Sequence, residues 1–338
     1  MTDALAPNPA SERSNAALIH YPRFKELHEE IRLCQHMSKI AGEPQCMSLE
    51  GRTGTGKSTL VRTYANTFPA VETEIGRCMS VLYLEVPSPV GIKDLASVAL
   101  KRLGDPACER GTRAALTMRL IGLIQDCGVE LVILDDFHHL IDKETNHILA
   151  QVSDWLKYLI KETGVPFLVV GIEGHVEVIL QANPQLSRLF AARETLQPFT
   201  WDAARPETIH EFSRFVEYAE RAMGRSLSKE IARLDLLYRI HCATEGVVGN
   251  VMNLMRVASE FAERRGHSAI ELSMLSLAYV KRLQRHMDNQ PNPFTDLTLA
   301  QRDSPASSRV ETDPQPAARK RRRKDMTHEP LVKEVLKA

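Results

Sequence analysis

One run of eight residues, Gly51-Arg52-Thr53-Gly54-Thr55-Gly56-Lys57-Ser58, constrains this chain more than any other feature. It matches G-x-x-x-x-G-K-[ST] at every fixed position. A short strand-like run, Cys46 to Glu50, leads into it, and a helical pattern from Ser58 to Thr67 follows. In that context the glycines let backbone N–H groups curl around phosphate oxygens. The positive end of the helix faces the same anion. The expected ligand is ATP, held by Gly51, Arg52, Thr53, Gly54, Thr55, Gly56, Lys57, Ser58 and Thr59. Lys57 is expected to neutralise the β- and γ-phosphates, Ser58 to ligate Mg²⁺, and Thr59 to reach the α-phosphate.

Such a loop needs an acid on a neighbouring strand. Leu131-Val132-Ile133-Leu134-Asp135-Asp136 supplies four apolar residues and then two carboxylates. Asp135 is expected to hold Mg²⁺ through water, and Asp136 to act as the base or water-positioning group.

The rest of the chain supports an α/β arrangement. Helical spacing runs from Tyr21 to Ile40, over 92–103 and 112–127, from Thr145 to Thr163, and near Glu177. Apolar strand patterns lie at Val81–Val86, Pro166–Ile172 and Leu196–Phe199. Strands alternating with helices predict a parallel sheet covered on both faces. After Trp201 the strand signals stop. Four helical segments follow, at Pro206–Arg221, Ser228–Cys242, Val247–Arg264 and Ser268–Arg285. The expected division is a disordered N-terminus (1–17), an α/β ATP-binding domain (18–200), a helical lid (201–287) and a flexible tail (288–338).

Lys+Arg and Asp+Glu both total 43. Balanced charge does not exclude nucleic acid, because charge can be segregated. Here Arg319, Lys320, Arg321, Arg322, Arg323 and Lys324 form a basic run in the tail, suited to DNA or an acidic partner. No apolar stretch approaches the ~18 residues of a membrane span. The six cysteines contain no C-x-x-C pair, against a zinc ribbon or a disulfide scaffold. A reduced, cytoplasmic chain without a membrane partner is expected. His138, His139 and His147 make no evident metal-ligand set.

The P-loop, Asp135-Asp136-Phe137-His138-His139-Leu140 and Val169-Val170-Gly171 resemble the AAA+ ATPases. Three further segments are similar to the transposition regulators TniB and TnsC, and more distantly to MuB. They are His20-Tyr21-Pro22-Arg23-Phe24, Gly164-Val165-Pro166 and Thr244-Glu245-Gly246-Val247-Val248-Gly249. The resemblance spans residues 18–285. It implies an AAA+ P-loop fold with a small C-terminal helical lid. It also implies an ATPase that oligomerises on double-stranded target DNA as a ring or helical filament, without sequence specificity. Such a protein recruits a DDE transposase together with a TniQ-type targeting protein. An arginine finger from the neighbouring subunit is implied at Arg188, with Arg193 as the alternative. The placement of Lys101, Arg102 and Thr112 matches the family's DNA-contacting region, where Arg110 and Arg113 add charge.

Three positions depart from the family pattern. Asp136 stands where Glu is usual, Ile172 where a polar Thr is frequent, and Asn250 where some relatives carry Arg after the lid's Gly-x-x-Gly. Together they predict intact nucleotide binding and slow or partner-stimulated hydrolysis. A replication initiator or helicase loader is the alternative reading.

Overall fold

The computed structural model describes residues 21–74, 76–88, 91–141, 146–285 and 290–295. The basic run at 319–324 lies outside the described residues, as does the N-terminal segment 1–17. The α/β part opens with helix α1 (Pro22–Ala41), strand β1 (Met47–Gly51) and helix α2 (Lys57–Asn66). A small hairpin follows, β2 (Val71–Thr73) and β3 (Gly76–Cys78), then β4 (Val81–Glu85). Helices α3 (Ile92–Leu103) and α4 (Arg113–Asp126) lead to β5 (Leu131–Asp135). A 3₁₀ turn (Phe137–Ile141) and α5 (Asn146–Thr163) precede β6 (Phe167–Ile172). Two short helices, α6 (His175–Gln181) and α7 (Pro184–Leu189), end at β7 (Ala192–Thr195).

The sheet order is β4-β5-β6-β1-β7, and every pairing in it is parallel. Successive side chains of a strand point to opposite faces, and both faces here are covered. Leu131 and Ile133 of β5 enter one core, with α1, α2 and the lid; Val132 and Leu134 enter the other, with α3 to α7. Leu168 and Val170 of β6 divide from Phe167 and Val169 in the same way. This is why these strands read as unbroken apolar runs. Strand β1 lies between β6 and β7, so the loop after it opens at the carboxyl edge where strand order reverses, the usual ligand crevice of such sheets.

The lid consists of α8 (Pro206–Met223), α9 (Arg233–Thr244), α10 (Val248–Arg264) and α11 (Leu272–Arg282). It also holds a two-residue parallel bridge, β8 (Ser226–Leu227) with β9 (Ala269–Ile270), too short to leave an alternation in the sequence. Two other expectations need correction. The last strand of the main sheet is Ala192–Thr195, not Leu196–Phe199. As an edge strand it carries Arg193 and Glu194, and its polarity hid it. Leu196, fully buried, continues from it by donating its N–H to Glu50 O at 2.8 Å. Residues 290–295, expected to belong to a tail starting at 288, are seated on the lid. Phe294 is buried against Tyr279, Arg239 Nη1 donates to Pro293 O at 2.6 Å, and Asn292 Nδ2 donates to Ser276 Oγ at 2.9 Å.

The lid joins the α/β part through a glycine. Gly246 has φ +67°, and a Cβ there would lie 1.9 Å from Phe199 O. Gly224, at the end of α8, has φ +66° but open space around it. Gly224→Ala should cost about 1–2 kcal/mol of backbone strain. Gly246→Ala should cost clearly more, because Phe199 must also move. Denaturant midpoints of the two variants check this; equal losses would show that the close approach is unimportant.

Candidate functional site

The loop after β1 is shaped by glycines in conformations that disfavour side chains. Gly54 has φ +82°, and Gly56 has φ +100° at the N-terminus of α2. A Cβ at Gly51 would lie 2.3 Å from Leu196 O, so the start of the loop presses on the backbone leaving β7. Thr55, fully buried, ties the turn by donating Oγ1–H to Arg52 O at 2.9 Å.

A cavity of about 610 Å³ opens over this loop. Thr53 to Thr59 line its floor. Gly51 and Arg52, expected in the same set, lie outside the lining. The Arg52 side chain turns instead to the lid, where it pairs with Glu245 at 3.0 Å. Lys57 is buried, and its Nζ donates to Gly51 O at 2.7 Å and Arg52 O at 2.9 Å. Burial lowers its pKa; the carboxylates of Asp135, Asp136, Glu173 and Glu50 oppose that shift. An ammonium has three N–H donors, so one remains for a phosphate oxygen in this arrangement.

Asp135 lies beneath the loop, 1% exposed. It accepts hydrogen bonds from Ser58, from Tyr83 Oη at 3.0 Å and from Asp136 N at 3.0 Å. Burial raises its pKa, and the Ser58 and Tyr83 bonds counter that. The structure therefore brings Ser58 and Asp135, the two residues assigned to magnesium in the sequence analysis, into contact. These are hard oxygen donors, the set that suits Mg²⁺; bound there, the ion would neutralise phosphate charge. Asp136 lines the cavity with φ +53°, one of two non-glycine residues in the left-handed region among the described residues. Asp and Asn are the side chains best tolerated there. That is a physical reason for a residue shorter than Glu at this position. Ile172 also lines the cavity.

The opposite wall was not foreseen. Tyr21 and Phe24 of the N-terminal segment, and Phe215, Val248, Met252 and Arg256 of the lid, complete the cavity. Tyr21 packs 5.4 Å from Phe199 and 5.4 Å edge-on from Phe215, and burial pushes its pKa up to about 12. These apolar rings form a surface suited to a flat base. Arg23 fastens this segment to the edge of the sheet, donating to Glu194 at 2.6 Å and Thr195 O at 3.2 Å. Asn250, where some relatives carry Arg, donates to Thr244 O at 3.3 Å, while Arg256, further along α10, lines the cavity and was not foreseen. Helical spacing on α10 would have shown that Met252 and Arg256 share a face. His138, beyond the acids, is a lining residue too.

Other candidates lie away from the cavity. Arg188 on α7 is exposed, and no ion pair or hydrogen bond of its side chain occurs among the described residues. The alternative, Arg193, is fully engaged with Glu177, Ser187 and Phe190 O. Lys101 and Arg102 are exposed in the last turn of α3. Thr112 has a structural task, accepting the Ala115 N–H at 3.2 Å as the N-cap of α4. Between them Arg119, absent from the sequence reading, organises the Gly/Pro loop through Asp105 at 2.6 Å, Ala107 O at 2.6 Å and Arg110 O at 3.0 Å.

Comparison with known proteins places this geometry. The ORC2 protein of Aeropyrum pernix, solved as ADPNP–ADP complexes, superposes with a TM-score of 0.56 at 15% identity, over 81% of this chain and 73% of that one. Cdc6p of Pyrobaculum aerophilum gives 0.58 at 14% identity, over 84% and 75%. Drosophila ORC bound to DNA gives 0.53 at 13%, over 85% and 71%. At these identities the likeness concerns the fold, which is that of the AAA+ ATPases. No curated protein matches the sequence. A family model described as the bacterial TniB protein matches residues 11–200, more than half of the chain. With its P-loop, buried acid and lid in AAA+ positions, the chain belongs to the bacterial TniB family.

Proposed function

We propose that this protein is an ATP-gated transposition regulator. In this reading it assembles on double-stranded target DNA and presents that DNA to a DDE transposase, alongside a TniQ-type targeting protein. The observation that carries the reading is the convergence of Lys57, Ser58 and Asp136 on one cavity bordered by the lid, with Asp135 bonded to Ser58 beneath it, in a TniB-family chain whose Arg188 stands exposed and unengaged. Family membership favours this over a replication initiator.

ATP would seat its phosphates on the loop N–H groups and its base against Tyr21, Phe24 and Phe215. Arg188 of a neighbouring subunit would then approach the γ-phosphate, where a cation stabilises developing charge. Nucleotide would thus favour the assembled state through its higher affinity for it. Lys57→Ala should abolish nucleotide-dependent assembly on duplex DNA, seen by electron microscopy. Arg188→Ala should retain ATP binding by the monomer and lose assembly. Normal filaments or rings from both variants would remove nucleotide gating.

DNA contact is assigned to Lys101 and Arg102, which have no acidic partner among the described residues. Thr112 keeps a place beside them through its exposed N-cap position. Contacts to backbone phosphate carry little sequence information and weaken with salt by about 0.9 in log–log slope per phosphate neutralised. Replacing Lys101 and Arg102 by Ala should flatten the slope by up to about 2 and weaken unrelated duplexes equally. An unchanged slope would move the DNA site elsewhere, the basic run at 319–324 being next.

Hydrolysis should be slow. Asp136 is shorter than Glu by one carbon–carbon bond, roughly 1.5 Å, and misplacement by about 1 Å can cost on the order of 100-fold in rate. Ile172 offers the γ-phosphate no hydrogen bond. Turnover with DNA present should fall below about 1 per second, and Asp136→Glu with Ile172→Thr should raise it. A fast wild type, or a double variant no faster, would mean that another cavity residue positions the water.

A further inference from the structure

The metal-holding acid has a partner outside the cavity. Tyr83 is the middle residue of β4, the edge strand, paired in register with Ile133. Its phenol reaches along β5 to Asp135, with Oη 3.0 Å from Oδ2. The same oxygen lies 3.3 Å from Arg62 Nη2, and the Arg62 guanidinium carbon sits 5.7 Å from the Tyr83 ring centre. Arg62 also pairs with Glu85 at 3.0 Å.

The direction of this chain follows from chemistry alone. A guanidinium only donates. Tyr83 Oη therefore accepts from Arg62, and its single proton is directed to Asp135. The other oxygen of Asp135, Oδ1, takes the backbone N–H of Asp136 at 3.0 Å. Each carboxylate oxygen is thus held from a side other than the P-loop, and Ser58 meets the carboxylate from the loop side. A ring at this position needs no hydroxyl to fill space; the hydroxyl is explained by the carboxylate it touches.

We propose that Tyr83 is a positioning residue for magnesium binding: its phenolic proton fixes the Asp135 carboxylate in the orientation that serves the metal, and Arg62 sets the direction of that proton. The inference rests on the reading of Ser58 and Asp135 as the metal-holding pair. Outer partners of metal ligands commonly contribute about 10–100-fold in metal affinity.

The test is binding of a fluorescent ATP analogue to the full-length protein, in EDTA and across a Mg²⁺ titration. Tyr83→Phe should bind in EDTA within about twofold of wild type, while its Mg²⁺ midpoint rises about 10-fold or more. Arg62→Ala, at an exposed position, should shift the midpoint in the same direction by a smaller factor. In an Asp135→Asn background, Tyr83→Phe should add no further shift. An unchanged midpoint in Tyr83→Phe, or an equal shift in the Asp135→Asn background, overturns the proposal. Should Tyr83→Phe fail to fold, Arg62→Ala decides alone, and an unchanged midpoint there overturns it. A wild type whose analogue binding ignores Mg²⁺ overturns the metal reading itself, and the proposal with it.

Discussion

The site depends on backbone contact between lid and P-loop. Gly249 N–H donates to Gly54 O at 2.8 Å, and a Cβ at Gly249 would come within 2.9 Å of that oxygen. Val247 and Val248 rest their methyl groups against the faces of Gly54 and Gly56. Phe199 N–H donates to Gly246 O at 3.0 Å, and His241 Nε2 meets Phe199 O at 2.9 Å. Burial holds the His241 pKa below its ordinary value, which favours the neutral ring at this joint. The Arg52–Glu245 pair is about half exposed on both sides and adds little stability by itself. Its role is geometric, joining the loop to the turn that starts α10. Without this seating, Phe215, Met252 and Arg256 would have no cavity to line.

Charge beneath the loop is balanced within a small volume. A buried ammonium and a buried carboxylate each suffer desolvation; nearby carboxylates, Asp135 first, counter it at Lys57, and hydrogen bonds from Ser58, Tyr83 and the Asp136 N–H counter it at Asp135. Two carbonyl oxygens hold Lys57, and two side-chain donors with one backbone donor hold Asp135. These side chains are thereby held in place by the protein's own dipoles, the arrangement that electrostatic preorganisation requires. Asp136 differs: it stands on a left-handed backbone at the end of a buried strand. Strain of that kind persists where the surroundings over-determine it, and it gathers at functional sites.

The family segments have separate physical tasks in the fold. Tyr21 enters the cavity wall while Arg23, two residues on, fastens the same segment to the sheet edge. The lid segment from Thr244 to Gly249 reverses the chain through Glu245 and Gly246, both at positive φ, and lands on the P-loop. In both cases a short motif encodes one contact between distant parts of the chain.

The sequence alone determined the strands that are buried on both faces, the P-loop between β1 and α2, the acid at the end of β5, and the lid as a helical unit. Each rests on a local pattern: unbroken apolar runs, glycines at fixed spacing, helical periodicity. It misplaced β7 and overlooked the small hairpin, because edge and exposed strands carry polar residues that break the apolar signal. It took residues 290–295 for tail, since proline and asparagine read locally as irregular chain, whereas Phe294 finds its partner on α11. Only the tertiary structure decided which cations are free for work. The sequence placed the finger at Arg188 with Arg193 as the alternative, and folding engages Arg193 with Glu177 while it leaves Arg188 exposed. Arg256 and Tyr83 carried no motif at all. Their roles come from helix and strand register, which bring side chains distant along the chain to the same cavity wall and the same carboxylate.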